Sequence, residues 1–201
     1  MQLIIPLILT AFAAQPSESA SENETLLAMI FDDLGIANPR IRTTAHFVIG
    51  YDTSDDHMRP LVGRIEGIYD AVSKFAAANG FAARDDQVLL PVIFFQASED
   101  FATYAAKMRM PSEGVAGFYH QHNNVAAFVN AYDLPWARAF AEQVAVIKTR
   151  LAELKAAQPR AEKEEIDTLE DFLYTAARQR DALVEKINVL VLQHEIADQV
   201  L

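Results

Sequence analysis

The chain has no cysteine among its 201 residues, which excludes disulfides, thiolate metal ligands and a cysteine nucleophile. A domain without those staples must rest on packing, and a 51% hydrophobic composition supplies the core. Basic residues are scarce. Seventeen Lys and Arg against 28 Asp and Glu give a net charge of −11, which argues against nucleic acid or an anionic membrane as partner. There is no Gly-rich phosphate loop and no G-x-S-x-G nucleophile elbow. No internal repeat or long low-complexity segment breaks the chain, so its length suits one domain, or one domain plus a leader.

The apolar run Leu3–Phe12 is shorter than the ~20 residues a bilayer requires. Ala11-Phe12-Ala13 supplies a small-x-small cleavage pattern, so residues 1–13 read as a signal peptide despite an n-region without Lys or Arg. The competing reading is an N-terminal segment packed on the fold. A cleaved leader implies a periplasmic or extracellular protein with no stable membrane anchor afterwards. Residues 14–45 then read as a polar spacer with a short amphipathic helix over 25–34, and residues 46–201 as the main domain.

Periodicity sets the architecture. His46–Tyr51 reads as a strand, and Asp52-Thr53-Ser54-Asp55 supplies capping side chains for a helix that stops near Asn79-Gly80. The run Val88–Phe95 is apolar on both faces, as in a strand buried between layers, with Pro91 restricting where it pairs. Ser98, Glu99 and Asp100 open another helix. Residues 114–120 and 125–130, parted by the polar Gln121–Asn124, read as a hairpin. From Leu134 onward the pattern is helical, with a turn near Pro159. The expected fold is therefore α+β: a small mixed sheet with an antiparallel hairpin, packed against helices, with long C-terminal helices.

The chemistry concentrates in the last of those helices. His194, Glu195 and Asp198 stand where the zinc-peptidase helix H-E-x-x-H has its residues, with aspartate in place of the second histidine. Positions i and i+4 share a helix face, so His194 and Asp198 point the same way and both can bind zinc. Glu195 can take a proton from a metal-bound water, the step that makes a nucleophile for amide hydrolysis. The plainer reading is a histidine and an aspartate that bond each other or cap a neighbour. The stripe from Phe172 through Leu183, Leu190 and Val191 predicts that His194 and Asp198 face the interior.

Several segments, taken in order, bear a family resemblance. His46-Phe47-Val48-Ile49, Tyr51-Asp52-Thr53-Ser54, Arg64–Tyr69, Pro91–Phe95 and Gly114–Tyr119, with Leu192-Gln193-His194-Glu195 and Gln199, together resemble an uncharacterised bacterial domain family related to the gluzincin zinc peptidases. The resemblance implies a zincin-like N-terminal half, a peptide or protein substrate, zinc held by His194 and Asp198, and Glu195 as the catalytic base. Asp198 departs from the family pattern, and the downstream glutamate that gluzincins use as third ligand has no counterpart here. The expectation is an exported metallopeptidase-like domain, a fragment or a degenerate relative, that is incomplete or inactive as it stands. The alternative is a non-catalytic exported binding or structural domain on the same scaffold.

Other polar residues rank lower. His120 and His122 flank the hairpin turn and alternate to one side of a strand, a spacing that can bind metal, although solvated turn histidines are commoner. His57 with Asp52, Asp55 and Asp56 reads as a helix start where a cation could also sit, and Tyr119 and Tyr132 read as packing residues that could touch substrate.

Overall fold

The computed structural model describes residues 18–80, 88–157 and 163–200, so the leader expected at 1–13 lies outside the described residues. Helix α1 (Glu18–Asp33) leads into strand β1 (Arg40–Thr43), β2 (Phe47–Tyr51), α2 (Asp55–Asn79), β3 (Leu90–Phe95) and α3 (Ser98–Met108). The hairpin β4 (Gly117–His120) and β5 (Val125–Val129) follows, then one 3-10 turn (Ala131–Asp133), α4 (Pro135–Ala157) and α5 (Lys163–Val200). The protein is α+β: a five-stranded mixed sheet ordered β1-β2-β3-β5-β4, with long C-terminal helices. β2, β3 and β5 run parallel, while β1 and β4 pair antiparallel at the two edges.

Helices cover both faces of the sheet, which is why the central strands are apolar without alternation. Val48, Ile93, Phe95 and Ala127 pack beneath α1 and α3 with Leu27, Phe31, Phe101 and Tyr104. Phe47, Ile49, Val92, Phe94 and Phe128 meet Met58, Leu61 and Ile65 of α2 and Leu192, Ile196 and Val200 of α5. Strand geometry requires this division, since successive side chains point to opposite faces. α1 lies close to β2 because Gly50 has no side chain: a Cβ there would stand 2.6 Å from the Phe31 ring. Leu27 and Phe31 are fully buried in that core, so the body of the fold begins before His46. β1, the charged segment Arg40-Ile41-Arg42-Thr43, belongs to the sheet as well.

Helix α2 begins where its capping residues indicate. Ser54 is the N-cap and accepts from His57 N–H, and Gly80 closes the helix in the left-handed region at φ 73°. Pro91 sits in a central strand without breaking it. β3 pairs with β2 through Val48↔Pro91, but its ladder with β5 begins only at Val92↔Ala126. The missing proline N–H therefore falls just before the β5 ladder starts. No helix among the described residues is long and apolar enough to cross a membrane.

Candidate metal centre

α5 is a single 38-residue helix. Its first part pairs with α4 as a helical hairpin; its last part crosses the sheet beside α2 and over β4. The Asp167–Glu170 segment, compatible with a capping box, lies inside this helix. Over the sheet α5 buries Leu192, Ile196, Gln199 and Val200, a spacing of three and four residues that fixes its rotation. Two contacts hold it there. Gly117 of β4 lets Val191 approach, since a Cβ on Gly117 would lie 2.9 Å from Val191 Cγ1 and from the Ala127 carbonyl oxygen. The Gln199 amide, fully buried, donates 3.0 Å hydrogen bonds to the carbonyl oxygens of Pro91 and Asn124.

This rotation corrects the expectation that His194 and Asp198 face the interior. Their side chains are 69% and 57% exposed, while Glu195 is 18% exposed. The proposed inward stripe covered too wide an arc: Phe172, Leu183 and Leu190 are all exposed, and the core selects the face carrying Leu192 and Ile196. The three motif residues nevertheless converge. His194 Nδ1 is 3.3 Å from Glu195 Oε1 and 3.8 Å from Asp198 Oδ2, and one ligand atom from each lies within 4.8 Å of the others. No other group of three His, Asp or Glu residues among the described residues converges in this way.

Glu195 turns toward the edge strand, where the backbone of Tyr119 hydrogen-bonds its carboxylate. Burial is the largest influence on Glu195 and raises its pKa. The adjacent His194 and the Tyr119 hydrogen bond act the other way, Asp198 adds to the rise, and the balance stays above the usual glutamate value. A carboxyl group raised in this way is a better proton acceptor than a solvated one. A folded pKa above the unfolded value means stability that is complete below the unfolded pKa and lost as pH rises through the folded one. Glu195→Gln is therefore expected to raise the melting temperature at pH 7 by ~1–3 °C and to leave it unchanged near pH 4. Thermal unfolding at the two pH values checks this; a variant less stable at pH 7 would mean that the Tyr119 bond outweighs burial.

The remaining candidates do not join the motif. β4 alternates, so His120 lies on the Phe118 side of the sheet, opposite Tyr119. Its ring centroid is 6.4 Å from that of His122, which belongs to the turn. His57 packs against Phe94 at 5.8 Å, and burial pushes its pKa down. Asp52 accepts from Gln96 N–H at 2.6 Å, Asp55 from the Tyr51 hydroxyl at 2.7 Å, and Asp56 pairs with Arg59 at 3.1 Å. These acidic groups open α2 and tie it to neighbouring segments. Tyr132 lies under Arg180, 5.5 Å from the guanidinium carbon.

A cavity of about 740 Å³ opens between the N-terminal parts of α3 and α4, lined by Phe101, Leu134, Trp136 and Arg138, and no motif residue borders it. Nearer the motif, an apolar trough of about 350 Å³ runs between α2 and α5, lined by Ile68, Val72, Phe75 and Ala197. Sequence reasoning missed the Tyr119 backbone contact, which leaves no side-chain signal. It also missed the purpose of Gly117, although glycine in a strand often marks a close approach. Set against family models, curated proteins and solved structures, the chain matches none.

Proposed function

We propose that this chain is an exported, zincin-like zinc metallopeptidase domain that is inactive by itself for want of metal ligands. The observation that carries the reading is the convergence of His194, Glu195 and Asp198 within 4.8 Å, on a helix that crosses an antiparallel edge strand. An imidazole nitrogen and a carboxylate oxygen suit zinc, and His194 and Asp198 would hold it. Bound zinc supplies Lewis acidity and lowers the pKa of water. Everything else falls to the chain's own groups. Glu195 accepts the proton and the Tyr119 backbone fixes its carboxylate. Among the described residues β4 pairs only with β5, so its outer side offers backbone groups to an extended peptide.

Catalytic zinc sites generally use three protein ligands plus water, and this helix offers two besides the base. Wild type is therefore expected to bind zinc weakly and to leave a generic peptide uncut. Asp198→His should tighten zinc binding by about tenfold or more, and His194→Ala should abolish it. Elemental analysis after dialysis, with peptide turnover measured in parallel, checks all three. Strong chelator-sensitive hydrolysis by the wild-type chain would overturn the ligand set. The exposure of His194 and Asp198 favours one second reading, a non-catalytic exported binding or structural domain on a degenerate peptidase scaffold. Absence of zinc from both wild type and Asp198→His would select it.

A further inference from the structure

The cavity of about 740 Å³ between α3 and α4 has a chemistry of its own, apart from the motif on α5. Small residues stand where larger ones would close it: Ala102 on α3, Gly114 before β4 and Ala139 on α4. Its lining includes Phe101 and Leu134, core residues that are 1% and 7% exposed. Trp136, the chain's single tryptophan, lines the same space and remains 36% exposed. A space of this size with apolar walls suits a small organic ligand, for which pockets run from about 300 to 1,000 Å³.

The walls are held by the chain itself. Arg138, in the first turn of α4, donates to the Asp133 carbonyl oxygen at 2.7 Å, to Asp133 Oδ2 at 2.8 Å and to Ser98 Oγ of α3. Asp133 Oδ2 also accepts from Ser98 N–H at 2.6 Å. These bonds lock the first turns of both helices and engage the guanidinium fully. The charge that is left is negative. Three carboxylates line the cavity, Glu99, Glu113 and Glu142, against the one cation Arg138. Glu99 stands 3.6 Å from that guanidinium, whereas Glu113 and Glu142 are exposed and have no partner among the described residues.

We propose that this cavity binds a small amphiphilic cation, an amine or quaternary ammonium carried on an apolar body. The body packs on Phe101 and Leu134 and leaves water, which supplies the non-directional part of the affinity. The head meets the two unpaired carboxylates, Glu113 and Glu142, and the Trp136 ring offers it a cation–π face. An anion of the same shape would meet those carboxylates and the −11 charge of the whole chain. A neutral body gains burial alone. The site does not depend on the zinc reading, since no motif residue borders the cavity.

Octyltrimethylammonium below its micelle concentration is the probe, octyl sulfate the anion with the same body, and tetramethylammonium the head alone. Each is titrated into the full chain in chelator, with Trp136 fluorescence and calorimetry as the two readouts. The expected result is one saturable site for octyltrimethylammonium, about tenfold or more tighter than for either control. Glu113→Gln combined with Glu142→Gln should weaken it about fivefold and leave the fold intact by circular dichroism. Ala139→Leu keeps a good helix former in α4, fills the space and should abolish binding. Equal binding of either control, or no effect of the double Gln variant, would overturn the assignment to an amphiphilic cation. Binding that survives Ala139→Leu would place the probe elsewhere and overturn the site. No saturable signal in either readout would overturn the proposal outright.

Discussion

Gly117→Ala is expected to destabilise the protein by about 1–3 kcal/mol, the usual cost of overpacking. A Cβ at this position would stand 2.6 Å from Phe128 Cδ1, 2.9 Å from the Ala127 carbonyl oxygen and 2.9 Å from Val191 Cγ1. The first belongs to a buried ring, the second to the paired strand and the third to a stiff β-branched side chain, so no neighbour gives way easily. The softest response is for α5 to lift from β4, which also separates Glu195 from the Tyr119 backbone. Urea unfolding should therefore show the loss of stability, and the raised Glu195 pKa should relax toward its ordinary value as the carboxyl gains water. Gly63→Ala is the control: a Cβ there meets nothing within 4 Å, and in the middle of α2 it should stabilise by about 0.5–1 kcal/mol. Equal effects at the two glycines would show that packing of α5 on β4 is not what Gly117 provides.

Gln199→Leu should cost about 2–4 kcal/mol, although it puts an apolar side chain of similar size into a buried site. The Gln199 amide nitrogen donates to the Pro91 and Asn124 carbonyl oxygens, and leucine leaves both without that donor. An orphaned buried group costs about 1–3 kcal/mol, reduced here because the unpartnered Gln199 Oε1 is removed as well. Gln199→Glu gives the sharper readout. Burial and two facing carbonyl oxygens raise the folded pKa of the introduced carboxyl above its unfolded value. Its stability is then closest to wild type below about pH 4 and falls as pH rises through the folded value. Chemical denaturation across that range measures it. A flat difference between wild type and Gln199→Glu would show that the side chain is not enclosed between β3 and β5.

How far the fold could be read from sequence depended on how many faces each segment buries. β2 and β3 were legible because both faces are covered, which leaves an unbroken apolar run between Phe47 and Tyr51 and between Leu90 and Phe95. α2 was legible from its caps, Ser54 and Gly80. β1 was not, because Arg40-Ile41-Arg42-Thr43 is an edge strand that buries little. α1 begins at Glu18, earlier than the helix expected over 25–34, since the polar residues of its first turns show no apolar period. In α5 the apolar residues occupy more than one face, and sequence alone does not say which face meets the sheet. That choice lies in tertiary contacts, Val191 on Gly117 and Gln199 on Pro91, and it set His194 and Asp198 facing outward. The motif spacing was therefore readable, while its orientation was not.

The Gln199 hydrogen bonds join residues 108 and 75 positions apart in sequence. Contacts of such separation form late in folding, because a long loop must close before they add any stability. The parallel strands are therefore expected to assemble before the last turns of α5 dock. In native-state hydrogen exchange, the amides from Leu192 to Val200 should open in a step of lower free energy than those of β3.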